Sequence, residues 1–147
     1  MLRDLLVGGA ISLLNFGVHA VITALIVVAT RRAYSRTEDH GIFVRITVLL
    51  TITVAVLMCG HVAEIGIWAI FLQLGGVTIE GTDIFTFAFE NYTALGYGDA
   101  LPTERPRRLI GPVMALNGLL LIGWSVAVIF EVMRMAEFKV GRHSRSD

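Results

Sequence analysis

Two histidines and a glutamate stand inside stretches that are otherwise apolar. Asn15 and His19 are four residues apart, and His61 and Glu64 three apart, so each pair shares a face if its stretch is helical. Imidazoles and carboxylates away from water are costly and by default invite a functional explanation. Three kinds of chemistry are open to them. Interhelical hydrogen bonding is the ordinary use, worth about 0.6–2 kcal/mol per contact. A pH sensor built on the two histidines comes second. A metal site of His19, His61 and Glu64 comes third, because three ligands without a cysteine or a second carboxylate make a small set.

A second stretch of interest is NYTALGYGDALP, residues 91–102, with Glu90 just before it. It is polar and glycine-rich in a chain that otherwise looks made to dissolve in lipid. Backbone that is neither helix nor closed sheet leaves N–H and C=O groups unpaired, at several kcal/mol each in hydrocarbon. The segment must therefore be shielded by protein or line water. Glu90 and Asp99 are carboxylates that a membrane should disfavour.

The elements that must position these residues are read from composition. Of 147 residues, 55% are hydrophobic and 16% charged, against about 25% charged in ordinary soluble domains. The mean hydropathy is +0.73. Twelve basic residues balance twelve acidic ones, which argues against a nucleic-acid partner. The single cysteine, Cys59, cannot form an intrachain disulfide.

Three apolar stretches, Leu5 to Thr30, Ile46 to about Leu74 and Leu109 to Met133, reach the roughly 20 residues that cross a bilayer as helix. A signal peptide ending at Ala20 is the other reading of the first, but the apolar run continues ten residues past that point and favours a retained helix. If three helices cross, Arg31, Arg32, Arg36 and Arg45 share one side with Arg134, Lys139, Arg142 and Arg145. Arg3, Arg105, Arg107 and Arg108 lie on the other. The basic bias places the C-terminus in the cytoplasm and the N-terminus outside.

Between the second and third spans, after Gly75 and Gly76, Thr82 or Asp83 can cap a helix of about eleven residues rich in Phe85, Phe87, Phe89 and Tyr92. At about 16 Å it can dip into a bilayer and cannot cross it. The alternation of Phe with Thr, Ala and Glu over 85–90 would also suit a strand; the membrane context favours the helix.

A half-length helix followed by Leu95-Gly96-Tyr97-Gly98-Asp99 and Pro102 resembles the pore helix, selectivity filter and outer mouth of the potassium-channel family. The resemblance covers roughly residues 46–134. It is specific in Ala94-Leu95-Gly96-Tyr97-Gly98-Asp99, where the family pattern is Thr-Val-Gly-Tyr-Gly-Asp, and Thr93 matches a threonine common in the family. It implies an all-α membrane protein with three transmembrane helices, a re-entrant pore helix and a filter loop, assembled as a homotetramer in the cell membrane. Glycine allows consecutive carbonyls to face one axis, and four such chains replace the hydration shell of potassium. The ion-binding residues implied are Ala94, Leu95, Gly96, Tyr97 and Gly98, with potassium held at 94–97, and Glu90, Thr93 and Asp99 supporting the filter.

Two departures bear on selectivity. Ala94 stands where the family has a threonine, so the innermost site keeps its carbonyls and loses four hydroxyls. Leu95 replaces a β-branched residue, which is stiffer at χ1. A weakly selective cation channel is the alternative they leave open. Some bacterial members resemble this chain in pairing a glutamate with an aspartate behind the filter, which implies a carboxyl pair of Glu90 and Asp99 sharing a proton. Gly118 lies where the family often has a hinge glycine in its inner helix; close helix packing, with Gly111 and Gly123, is the other use. Glu131 and Arg134, at i and i+3, suit a local ion pair.

Three segments follow: 1–45, an N-terminal transmembrane helix and basic loop; 46–134, the pore-like domain; and 135–147, a short tail. Asn15 lies ten residues from Leu5 and Glu64 ten from Leu74, so antiparallel neighbours bring Asn15, His19, His61 and Glu64 to one depth. No nucleophile–base pair, phosphate loop or cofactor fingerprint is present, which points away from an enzyme, from a cofactor other than permeant potassium and from a soluble small-molecule substrate. A membrane-embedded metal or proton-coupled protein using His19, His61 and Glu64 is the competing class. No arginine-rich helix of voltage-sensor spacing occurs.

Overall fold

Residues 2–36, 41–96 and 100–143 are described by a computed structural model. Among the described residues there are four α-helices: α1 (Leu2–Arg36), α2 (Ile42–Leu74), α3 (Ile84–Tyr92) and α4 (Ile110–His143). Three spans, Leu2–Ala33, Ile42–Leu74 and Arg107–Met135, are long and apolar enough to cross a membrane. In hydrocarbon every backbone group must be paired internally, and a continuous helix does so within one segment. The helices outrun the apolar stretches at their ends, taking in Arg31, Arg32 and Arg36 on α1 and Arg45 on α2. Apolarity marks the thickness of the hydrocarbon, and helical hydrogen bonding continues beyond it into the polar layer.

Gly75 and Gly76 end α2. Gly76 takes φ 63°, its N–H donates to the Gln73 carbonyl at 3.1 Å, and the Val77 N–H donates to Leu72 at 3.0 Å. This left-handed cap satisfies carbonyls that the helix leaves free.

Of the two expected caps for α3, Asp83 is the one used. Its carboxylate accepts from the N–H groups of Phe85 and Thr86, at 2.9 and 3.0 Å, and from the Thr86 hydroxyl at 2.6 Å. These bonds, those of Thr86 foremost, hold the Asp83 carboxyl below its ordinary range. The alternation over 85–90 is realised as helix. α3 has nine residues rather than about eleven, because the chain leaves the helix after Tyr92 and passes through a left-handed residue, Ala94, with φ 56°.

On either side of α3, β1 (Ile79–Glu80) and β2 (Leu101–Pro102) pair antiparallel, Ile79 opposite Pro102 and Glu80 opposite Leu101. The Thr103 N–H donates to the Thr78 carbonyl at 3.0 Å, and Arg107 Nη1 donates to the Gly75 carbonyl at 2.6 Å. The chain thus enters and leaves the 81–100 segment at one level. With nine residues, α3 is too short to cross a bilayer, as a re-entrant element must be.

α1 packs against both α2 and α4, and α3 lies against α2 and α4. Trp68, Leu72, Phe87, Tyr92, Met114 and Leu121 form the core around α3. Ile26, Leu49, Leu57, Val128 and Val132 close the other end of the long helices. Leu13, Leu25, Phe43, Met58, Ile70, Leu116, Val126 and Phe130 point outward, an apolar exterior of the kind lipid covers.

Between helices in lipid the hydrophobic effect is absent, so close packing and polar contacts do the work. Gly60 illustrates the first: a Cβ there would lie 2.8 Å from Ile22 Cδ1. Gly118 is tighter still, since a Cβ would overlap the backbone carbonyl of Tyr92, whereas Gly123 faces open space. Gly118→Ala is therefore expected to destabilise by about 1–3 kcal/mol or more, the range for overpacking. Gly123→Ala should be neutral or stabilising by up to about 1 kcal/mol. Thermal unfolding in detergent checks this, and equal effects of the two substitutions would contradict it.

Candidate functional site

The end of α3 positions the first candidate segment. N–H groups of three consecutive residues turn back onto the last carbonyls of the helix: Ala94 donates to Asn91 at 2.9 Å, Leu95 to Glu90 at 2.9 Å, and Gly96 to Glu90 at 3.4 Å. The Thr93 hydroxyl donates to the carbonyls of Phe89, at 2.9 Å, and Glu90, at 3.3 Å. The carbonyl oxygens of Ala94, Leu95 and Gly96 accept no hydrogen bond among the described residues, and these three residues are exposed. φ is positive at Ala94 and Gly96 and not at Leu95, an alternation of hand that makes concave arrays of like backbone groups. The donors are consumed and the acceptors are left open, which is the requirement for coordinating a cation with backbone oxygen.

Tyr97, Gly98 and Asp99 lie outside the described residues, so the expected pairing of Glu90 with Asp99 does too. Glu90 itself is half-buried. Gly118 serves close packing here, since α4 runs unbroken through it past the Tyr92 carbonyl. Gly111 does likewise, with a Cβ position 2.6 Å from Asn91 Oδ1, and Gly123 has no such neighbour. The expected ion pair of Glu131 and Arg134 forms with two contacts of 2.9 Å.

The second candidate site is buried between the helices. Asn15, His19 and Glu64 have no solvent exposure, and the matched depths of α1 and α2 bring them together. Glu64 Oε1 lies 2.9 Å from His19 Nδ1, and Oε2 lies 3.1 Å from His61 Nδ1. Tyr92, the last residue of α3, donates its hydroxyl to Glu64 Oε2, and its oxygen is 2.8 Å from His61 Nδ1. Ser125 on α4 completes the circuit, with Oγ 2.9 Å from His61 Nε2 and 3.4 Å from His19 Nε2.

Glu64, His19, Ser125, His61 and Tyr92 thus form a closed ring of five contacts, with the approach of His61 Nδ1 to Glu64 Oε2 as a sixth contact that shares the His61 hydrogen across it. Each contact around the circuit needs one hydrogen. Two hydroxyls and two neutral imidazoles supply four, so with an ionised carboxylate one contact would join two acceptors. The ring is complete, and electrically neutral, when it carries one further positive charge. Isolated charge is expensive at membrane depth, and the two requirements coincide.

A neighbouring network shares Asn15. Its Nδ2 donates to the Glu64 carbonyl at 3.3 Å and to Asn117 Oδ1 at 3.1 Å, where Trp68 Nε1 also donates at 2.9 Å. The fold brings Asn15, His19, His61 and Glu64 together with four further polar side chains. Tyr92, Ser125, Asn117 and Trp68 were not singled out. The signal available for them was phase: Asn117 and Ser125 are eight residues apart on α4, a spacing that returns to the same helix face.

The family model described as an ion channel matches residues 44–135. The chain belongs to this ion-channel family, in its two-helix, potassium-channel-type form. The match begins in α2, passes through α3 and the 93–96 turn, and ends in α4, so α1 lies outside it. No curated protein and no solved structure matches the chain. Within the channel, α2 and α4 are the outer and inner helices and α3 the pore helix, and α1 is an added helix bound to them by buried polar contacts.

Because Asn117 Oδ1 accepts from two buried donors, Asn117→Leu should strand Trp68 Nε1–H and leave Asn15 Nδ2 only the Glu64 carbonyl, at a cost of about 1–3 kcal/mol. Trp68→Phe, which removes one donor and keeps most of the ring, should cost less. Unfolding of detergent-solubilised variants checks the order, and a stable Asn117→Leu protein would contradict the network.

Proposed function

We propose that the protein conducts potassium passively across the cell membrane, as a homotetramer whose filter is built from backbone carbonyls of residues 94–98. The observation that carries this reading is the turn after the pore helix, whose N–H groups are engaged and whose carbonyls at 94, 95 and 96 accept no hydrogen bond among the described residues. One such strand per chain closes a ring of oxygens only around a symmetry axis, and four copies surround a potassium ion. The N-terminus lies outside and the C-terminus in the cytoplasm, on the strength of the basic residues beside the spans. Mass measurement of the detergent-solubilised protein tests the assembly. Four times the 16.1 kDa chain mass is expected, and a monomer or dimer in every mild detergent contradicts it.

A weakly selective cation channel is the second reading, and Ala94 favours it. With no hydroxyl at this position the innermost site has only backbone oxygen to offer. Ala94→Thr is expected to strengthen barium block and to raise the permeability of potassium relative to sodium. Left-handed φ at Ala94 makes a β-branched replacement costly, so Ala94→Ser, which also brings a hydroxyl, serves as the companion variant. Unchanged block and selectivity in both would show that the missing hydroxyl does not matter.

A further inference from the structure

We infer that His19, His61, Glu64 and Tyr92 form a binding site for a divalent transition-metal ion of the zinc class, buried between α1, α2 and the pore helix. On sequence the objection to a metal was the number of ligands. The fold answers it by bringing the Tyr92 oxygen from the pore helix to the two imidazoles and the carboxylate.

The geometry suits four-coordinate zinc. Bonds of about 2.0–2.2 Å to nitrogen and oxygen put tetrahedral ligands roughly 3.3 Å apart. His19 Nδ1 lies 2.9 Å from Glu64 Oε1, and His61 Nδ1 lies 3.1 Å from the other carboxylate oxygen, Oε2, and 2.8 Å from the Tyr92 oxygen. The ligand atoms of His19, His61 and Glu64 all lie within 4.8 Å of one another. Outward shifts of a few tenths of an ångström open most of these hydrogen-bonded edges to metal-bonded ones.

Both imidazoles present Nδ1 to the carboxylate side and Nε2 to Ser125. Metal-ligating histidines almost always donate the second ring N–H to an oxygen that fixes the tautomer, and Ser125 Oγ can accept from both. Imidazole, carboxylate and phenolate without thiolate select a borderline divalent ion rather than copper(I). His61 keeps 14% of its side chain accessible while Glu64 has none, so His61 marks the way in.

Charge and hydrogens balance. The complete ring holds five hydrogens and no net charge. With the ion bound, Glu64 is a carboxylate and Tyr92 a phenolate, both imidazoles are neutral with their hydrogens on Nε2, and Ser125 keeps its own. Three hydrogens remain, two protons leave to solvent as one divalent ion enters, and the buried site stays neutral. The ion would join the last residue of the pore helix to α1 and α2, stiffening the base on which the 93–96 turn rests. This site stands whether or not the pore selects potassium.

The experiment is titration of the chelator-stripped, detergent-solubilised protein with zinc chloride by calorimetry in buffers of different ionisation heat. His40 and His143 are replaced by alanine to remove other imidazoles. Expected are one ion per chain, two protons released per ion, and visible bands of tetrahedral geometry when cobalt(II) is used instead. Tyr92→Phe should release one proton fewer and bind more weakly. Ser125→Ala should weaken binding by about 10–100-fold, and His61→Gln should abolish the tetrahedral cobalt bands. Absence of saturable zinc binding by the parent protein overturns the inference without any site variant. So does binding that Tyr92→Phe and His61→Gln leave unchanged, or a ring that responds to pH alone.

Discussion

A single carboxylate, Glu64, sets the terms for the interior of this protein. It has no exposure to solvent, and an uncompensated charge there would be among the most expensive features the fold could carry. Every long helix and the pore helix send a polar group toward it: His19 from α1, His61 from its own helix, Tyr92 from α3, and Ser125 from α4 through the two imidazoles. In lipid, where apolar surfaces have no reason to prefer each other to hydrocarbon, a group that cannot be left unpaired specifies which helices meet and at what height. α1 lies outside the matched channel segment, and this requirement gives it a place.

The same residue links the interior to the pore. Tyr92 holds Glu64 with its side chain, and its carbonyl is the surface on which Gly118 of α4 rests. Just beyond it, the N–H groups of Ala94, Leu95 and Gly96 fold back onto the pore helix, and the carbonyls of these residues accept no hydrogen bond among the described residues. The position of the backbone at residues 94–96 is thus fixed by a short chain of contacts that starts at a buried ring of hydrogen bonds. Nearer the surface, the β1–β2 pair and the Arg107 contact with Gly75 hold the two ends of the re-entrant segment together.

Much of this was legible in the sequence because membranes impose simple rules. Three apolar runs named three spans, Thr82 or Asp83 named a helix start, and Asn15 and Glu64, counted inward from opposite ends, named a meeting point. The rest depended on rotation about helix axes. Tyr92 looked like one more aromatic beside Phe85, Phe87 and Phe89, and only the phase of α3 against α2 turns its hydroxyl to Glu64. Ser125 and Asn117 are ordinary small polar residues of an inner helix until that helix is set beside α1. Gly118 admitted two uses, a bend or a close approach, and the carbonyl of Tyr92 supplies the second. The length of α3 was overdrawn because helix propensity continues past Tyr92, while the backbone leaves the helix to begin the turn.

We propose that the carbonyls after the pore helix conduct potassium in preference to sodium. The most direct measurement is the reversal potential of the purified channel in planar bilayers with potassium on one side and sodium on the other. A potential displaced strongly toward potassium is predicted. A reversal near zero, or no current from protein shown to be folded and assembled, would contradict the account.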